Sequence, residues 1–213
     1  MKAILLDWDG VLCDSLQLYF ELYVEACKRR NKAFPMKDLE QFRGWYTPRW
    51  EENYYEMGFT PQEFSEVLAF SERWLDYSRA RLFPGVVHNL RQWSSLAPLA
   101  IVSTTPSGLI RARLAQEAGA VECFRHFTGG EDGCSEKRQK VANTLKAIGC
   151  SQGVMVGDTP LDVDAGRFNG LATVGVTYGW VSPERVRSSQ PDRLVERPEE
   201  LGAAVIEAWE SGQ

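Results

Sequence analysis

Cysteine, histidine and long apolar runs are scarce in this chain, and neither sign of charge dominates it. Its 213 residues include five cysteines and two histidines. Cys13, Cys27, Cys123, Cys134 and Cys150 are odd in number and lack metal-ligand spacing, so neither a disulfide framework nor a thiolate metal site is expected. A reduced, cytoplasmic chain with thiols in or near its core is the plain reading. His88 and His126 lie away from the positions that carry chemistry below. No apolar run approaches the roughly 20 residues of a membrane-spanning helix. The chain opens on a strand-like run and an acidic motif rather than a basic segment and a long apolar one, so no secretory leader is expected. The net charge of −5 offers no basic stripe to a phosphate backbone. Lys28-Arg29-Arg30, the densest basic run, reads as a solvated helix end. Repeats and low-complexity tracts are absent too. A soluble protein with no nucleic-acid or membrane partner follows, a monomer or homodimer of one domain with a modest insertion.

What is present is concentrated in the first fifteen residues, Met1 to Ser15. Ala3 to Leu6 reads as a strand buried on both faces. It runs into Asp7 and Asp9, with Gly10 directly behind. If the extended path continues, both acidic side chains fall on one side. Two carboxylates held close at a strand end repel unless a cation or a shared proton lies between them. Gly10 allows a sharp turn or a close approach. The stretch therefore reads as a site.

From Ser15 the periodicity turns helical. Leu16, Tyr19, Phe20, Tyr23, Val24 and Cys27 fall at helical spacing, with Asp14 or Ser15 as N-cap. Further helices are expected at Met36 to Arg43, Pro48 to Met57 and Pro61 to Arg81, the last opened by a Thr60-Pro61-Gln62-Glu63 capping sequence. Nothing between Ser15 and Arg81 reads as a strand, and the block is rich in aromatics. After Phe83-Pro84-Gly85 the chain alternates. Strands are expected at Leu99 to Ser103, Phe127-Thr128, Gly153 to Gly157, Leu171 to Val176 and Arg193 to Val195. Helices are expected at Val86 to Ser95, Pro106 to Gly119, Glu136 to Ile148, Leu161 to Phe168 and Pro198 to Trp209. That alternation means an α/β fold, a Rossmann-like parallel sheet core covered by helices. The organisation expected is a core of residues 1–14 and 82–213 and an inserted α-helical cap domain of residues 15–81.

Ligands of such sheets bind beyond the carboxyl ends of the strands. Asp7 and Asp9 end the first strand, Ser103 and Thr104 the second, and Asp158 the fourth, with Asp162 one helical turn on and Lys137 opening the preceding helix. Carboxylates, hydroxyls and a lysine converging on one edge suit a hard cation, Mg2+, beside a phosphoryl group.

Asp7-Trp-Asp-Gly-Val-Leu12, Leu99-Ala-Ile-Val-Ser-Thr104 and Val154-Met-Val-Gly-Asp-Thr-Pro-Leu-Asp162, in this order, resemble motifs of the haloacid dehalogenase-like hydrolases. The lysine motif departs from that family's usual Lys-Pro pattern, reading Lys137-Arg-Gln-Lys140, so Lys140 rivals Lys137; the resemblance favours Lys137, whose distance to Gly149 and the fourth strand fits the family's usual layout. The resemblance implies Asp7 as nucleophile and Asp9 as acid and base. It implies Ser103 and Lys137 on the phosphoryl group, with Thr104 beside them. It implies Mg2+ held by Asp7, the backbone carbonyl of Asp9 and Asp158, with Asp162 orienting that shell. Asp9 separates a phosphatase from a dehalogenase, whose halide leaves without a proton. A phosphoglycolate-phosphatase-like enzyme acting on a small phosphorylated metabolite through an aspartyl-phosphate is the implied function, with a helical C1-type cap closing over it.

Blander roles stand beside these. Ser103 and Thr104 suit helix capping, and Asp158 and Asp162 suit a helix N-terminus. Arg43, Trp45, Arg49 and Trp50 form a basic-aromatic cluster that is either helix packing or, through Arg43 or Arg49, a contact to a second anionic group of the substrate. A β-phosphoglucomutase-like sugar phosphomutase and a non-catalytic binding or regulatory protein of the same fold are the alternative functions.

Overall fold

A computed structural model describes residues 1–134 and 136–211, the side chain of Glu72 apart. Its first strand, β1 (Lys2–Leu6), leads through a tight loop to β2 (Cys13–Asp14). Helices α1 (Leu16–Arg29), α2 (Leu39–Trp45), α3 (Trp50–Glu56) and α4 (Pro61–Trp74) follow, and β3 (Arg81–Leu82) closes that block by pairing antiparallel with β2. The remainder runs α5 (Val86–Leu96), β4 (Leu99–Val102), α6 (Ser107–Leu114), β5 (Phe124–Thr128), α7 (Lys137–Ile148), β6 (Gln152–Gly157), α8 (Pro160–Phe168), β7 (Ala172–Val176), α9 (Pro183–Ser188), β8 (Arg193–Val195) and α10 (Leu201–Ser211).

Six strands form one parallel sheet in the order β5-β4-β1-β6-β7-β8. The chain builds outward from β1 on one side and then from β6 on the other. The reversal falls beside β1, the place where such sheets open a crevice at their carboxyl ends. Strand alternation sorts the apolar residues into two layers. Ile4, Leu6, Leu99, Ile101, Val154 and Val156 pack with Leu90 and Trp93 of α5 and Val205 of α10. Ala3, Leu5, Ala100, Val102 and Met155 pack on the other face with Val141 and Leu145 of α7 and Ala165 of α8. Both faces are covered, which is why these strands read as continuous apolar runs.

The helices before β3 gather round their own aromatic cluster. Phe42 lies 5.2 Å from Tyr23 and 5.6 Å from Phe20 between ring centroids, and Tyr23 stacks on Tyr54 at 4.5 Å. Thr60 and Glu63 form the expected capping box at the start of α4.

Several element boundaries differ from expectation. α2 starts at Leu39 because the Asp38 side chain accepts the Gln41 N–H at 2.8 Å. α4 stops at Trp74 instead of Arg81: Leu75 turns extended, a short 3-10 turn covers Tyr77–Arg79, and Arg81 enters β3. α6 ends at Leu114, and β5 starts three residues before the expected Phe127. α9, opened by Ser182-Pro183, lies between the expected strands at Leu171 to Val176 and Arg193 to Val195, where the sequence assigns no element. The two-residue strands β2 and β3 are too short to leave a periodic trace.

Candidate active site

The extended path of β1 stops after Leu6. The Asp7 N–H still bonds the Val156 carbonyl of β6 at 2.9 Å, and then the chain folds back, with the N–H groups of Leu12 and Cys13 both on the Trp8 carbonyl at 3.0 Å. Gly10 makes the fold-back possible: its φ is +75°, and a β-carbon there would collide with the Asp158 carboxylate. The turn gives Asp7 and Asp9 separate sets of partners, so they do not act as one strand-face pair.

Asp7 joins Asp158 and Asp162. Each of the three offers an oxygen, and these oxygens lie within 4.8 Å of one another. Lys137, the first residue of α7, inserts its ammonium among them, 3.0 Å from Asp7 Oδ1 and 2.8 Å from Asp162 Oδ1, and donates to the Val102 carbonyl at 2.8 Å. Asp158, directly after β6, accepts the Trp180 N–H at 2.6 Å. Asp162 Oδ2 accepts both the N–H (3.1 Å) and the hydroxyl (2.6 Å) of Thr159, capping its own helix α8, while Oδ1 turns to Lys137 and is otherwise without a well-directed hydrogen bond. The capping role and the site role of Asp162 therefore coexist, one oxygen each.

One lysine faces three carboxylates, and the electrostatics register the imbalance. Burial, opposed by Lys137 and reinforced by Asp162 and Asp9, raises the Asp7 pKa to about 7. Burial and the charges of Asp7 and Asp162 raise Asp158 well above the ordinary carboxylate range. Burial works to lower the Lys137 pKa, and the attraction of Asp162 and Asp7 outweighs it, so its pKa is raised. All oxygen, converging, buried and short of positive charge, this donor set fits a hard divalent cation such as Mg2+.

Asp9 has different neighbours. Its Oδ1 accepts the hydroxyls of Ser15 at 2.5 Å and Tyr77 at 2.7 Å, and its Oδ2 accepts that of Thr105 at 2.6 Å. Burial raises its pKa, and these hydroxyls oppose the rise. Ser15 occupies the N-cap position of α1 as expected, yet its side chain makes no cap bond and serves Asp9. Ser103, 1% exposed, follows β4 and accepts the Thr105 N–H at 3.0 Å, which leaves its own proton to donate.

The structure gathers Asp7, Asp158, Asp162 and Lys137, places Asp9 on the adjoining turn and Ser103 at the same sheet edge, and leaves three other residues elsewhere. Thr104 is exposed; its neighbour Thr105 is the buried hydroxyl, because the turn after β4 points alternate residues out and in. Arg49 is exposed and paired with Glu52 at 3.5 Å. Lys140, the rival lysine, is 1% exposed and spent on Asp132 (2.5 Å) and the Gly129 carbonyl (2.6 Å), where it ties the loop after β5 to α7. Arg43 reaches the sheet edge, donating to the Thr177 carbonyl at 2.9 Å, with its Nε buried and unpartnered among the described residues. Tyr19, Tyr77, Thr105 and Trp180 were not anticipated. Thr105 carried a faint signal in standing next to Pro106 at a helix start; the others touch Asp9 or Asp158, or the hydroxyls around Asp9, across sequence separations that periodicity cannot span.

The chain is similar to known proteins over most of its length. The family model for haloacid dehalogenase-like hydrolases matches residues 1–170. A phosphoglycolate phosphatase of Synechococcus elongatus is 30% identical over 213 residues, covering 97% of this chain and 98% of the relative. One of Neisseria gonorrhoeae is 25% identical, covering 100% and 94%. Among solved structures, a haloacid dehalogenase-like hydrolase of Streptococcus pneumoniae superposes with a TM-score of 0.80 at 23% identity, over 95% of this chain and 97% of that one.

Two outcomes are expected. Because burial lifts Asp7 from 3.8 to about 7, its protonated form favours the folded state in chelator. That contribution is complete below 3.8 and is lost as pH rises through about 7. Thermal unfolding in EDTA should thus show a falling Tm between pH 5 and 7.5, approximately, and Mg2+ should stabilise more at the upper end. For the lysines, Lys140→Ala should cost stability, about 3 kcal/mol in urea unfolding, by leaving Asp132 unpaired and a buried void. Lys137→Ala should instead remove most turnover from a protein that still folds.

Proposed function

This chain belongs to the haloacid dehalogenase-like hydrolases, and we propose that within them it is a Mg2+-dependent phosphatase of small phosphorylated metabolites, working through an aspartyl-phosphate. The observation that carries the reading is the bridging of Asp7 and Asp162 by Lys137 beside Asp158: buried carboxylates in excess of cations. Asp7, Asp158 and the backbone carbonyl of Asp9 would hold Mg2+, with Asp162 orienting them. When bound, the ion offsets negative charge on the carboxylates and on the phosphoryl oxygens.

The Asp7 carboxylate attacks phosphorus, and the bond to the leaving oxygen breaks as Asp9 delivers a proton to that oxygen. Asp9, now ionised, takes a proton from water; the water oxygen attacks phosphorus, and inorganic phosphate leaves Asp7 free. Lys137 and the Ser103 hydroxyl would bind phosphoryl oxygens, and Lys137 opposes the burial that favours protonation of Asp7. Residues 15–81 act as a cap that shuts water out until hydrolysis. Arg43, with its unpartnered Nε, is the cap residue best supported for a second anionic group of the substrate. Phosphoglycolate, named in the relatives, is such a substrate. Among the described residues no helix is long and apolar enough to cross a membrane.

Hydrolysis of an aryl phosphate tests this directly. Turnover should require Mg2+, vanish in EDTA, and fall by at least about a thousandfold in Asp7→Asn. Retention of activity in Asp7→Asn would refute the nucleophile assignment. Slow release of phosphate to water with fast transfer to a sugar phosphate would favour the phosphomutase alternative.

A further inference from the structure

Asp9 is gripped unequally. A carboxylate oxygen has two lone-pair directions. On Oδ1 both are taken, by Ser15 at 2.5 Å and Tyr77 at 2.7 Å; on Oδ2 Thr105 takes one, at 2.6 Å, and the other is open among the described residues. The Tyr77 hydroxyl is itself backed by Tyr19, 3.1 Å away, and Tyr19 also reaches Thr105 at 3.0 Å. Tyr77 is 3% exposed, and its ring lies 6.2 Å from that of Trp8, the residue between Asp7 and Asp9.

The chain path gives this grip a second meaning. The helical block is joined to the sheet at two crossings, β2 and β3, which pair with each other. Ser15 directly follows β2, and Tyr77 opens the turn that leads into β3. Each crossing thus hands one hydroxyl to the same oxygen of Asp9.

We propose that Tyr77 is a positioning residue: with Ser15 it saturates Oδ1 of Asp9 and so commits Oδ2 to proton exchange with the leaving group. Tyr19 holds the Tyr77 hydroxyl in place. The inference rests on Asp9 being the leaving-group acid. Without the Tyr77 hydroxyl the carboxyl group can rotate, and its proton can settle on the oxygen that faces away from the substrate.

Such a defect depends on the leaving group, since a good one departs with little help from a proton while a poor one needs it. The test is kcat/KM for a series of substituted phenyl phosphates, from 4-nitrophenyl to unsubstituted phenyl, with wild type, Tyr77→Phe and Asp9→Asn. The Phe variant keeps the ring against Trp8. Tyr77→Phe should lose roughly 10- to 100-fold on phenyl phosphate and clearly less on the 4-nitrophenyl ester, steepening the leaving-group dependence as Asp9→Asn does. Equal loss across the series, or no loss, would overturn the inference. If Asp9→Asn steepens the series and Tyr77→Phe does not, the inference fails alone; if neither does, the acid role of Asp9 fails with it. Should Tyr77→Phe not fold, Tyr19→Phe, which removes the hydroxyl behind it, should steepen the series in the same direction by a smaller factor, and an unchanged slope there would overturn the inference equally.

Discussion

A single lysine among three buried carboxylates is the constraint on which this site depends. Lys137 touches Asp7 and Asp162, and Asp158 is left to a backbone N–H. Burying unpaired carboxylates is costly, and proteins answer either by protonating them or by binding a cation. Here the raised pKa values of Asp7 and Asp158 show the first answer operating when no cation intervenes. The local fold exists to force this crowding. β1 and β6 are adjacent and parallel, so both release their acids at the same edge. Gly157, at the end of β6, has no β-carbon because one would run into Asp162.

The same edge is wired to the helical block. The segment after β7 offers the Thr177 carbonyl to Arg43, and α9 returns the gesture, Arg185 donating to the Tyr46 carbonyl at 2.5 Å. Between them Trp180 packs against Tyr19 at 4.5 Å and Tyr46 at 5.1 Å while its N–H holds Asp158. The helices over the edge therefore press on a segment that touches a candidate metal ligand directly.

Much of this was legible in the sequence because it is local. Apolar runs such as Ala3–Leu6 and Leu99–Val102 announce strands buried on both faces, and an acid or hydroxyl directly after each marks its carboxyl end. Asp7 and Asp158 could be placed on that basis and Asp162 and Lys137 through the family resemblance, and the sheet edge brings the four together. The hydroxyls around Asp9 were not legible. Tyr77 looked like one more apolar position of a long helix, and only the break at Leu75 and the two-residue pairing of β2 with β3 turn it inward. Arg49 and Lys140 show the converse: residue type and neighbourhood suited a ligand, yet one faces solvent and the other is consumed by a loop. Side-chain direction after an irregular turn is set by tertiary packing, which no periodicity records.

An acidic cluster short of positive charge must trade protons for a cation. Calorimetric titration of the protein with Mg2+, repeated in buffers of different ionisation enthalpy, counts the protons released on binding. Release is expected near pH 6, where Asp7 is still largely protonated, fading well above pH 7, with binding itself weakening as pH falls. Binding that is pH-independent and releases no proton would mean that the carboxylates are already charged and balanced, and the charge-deficit account would be wrong.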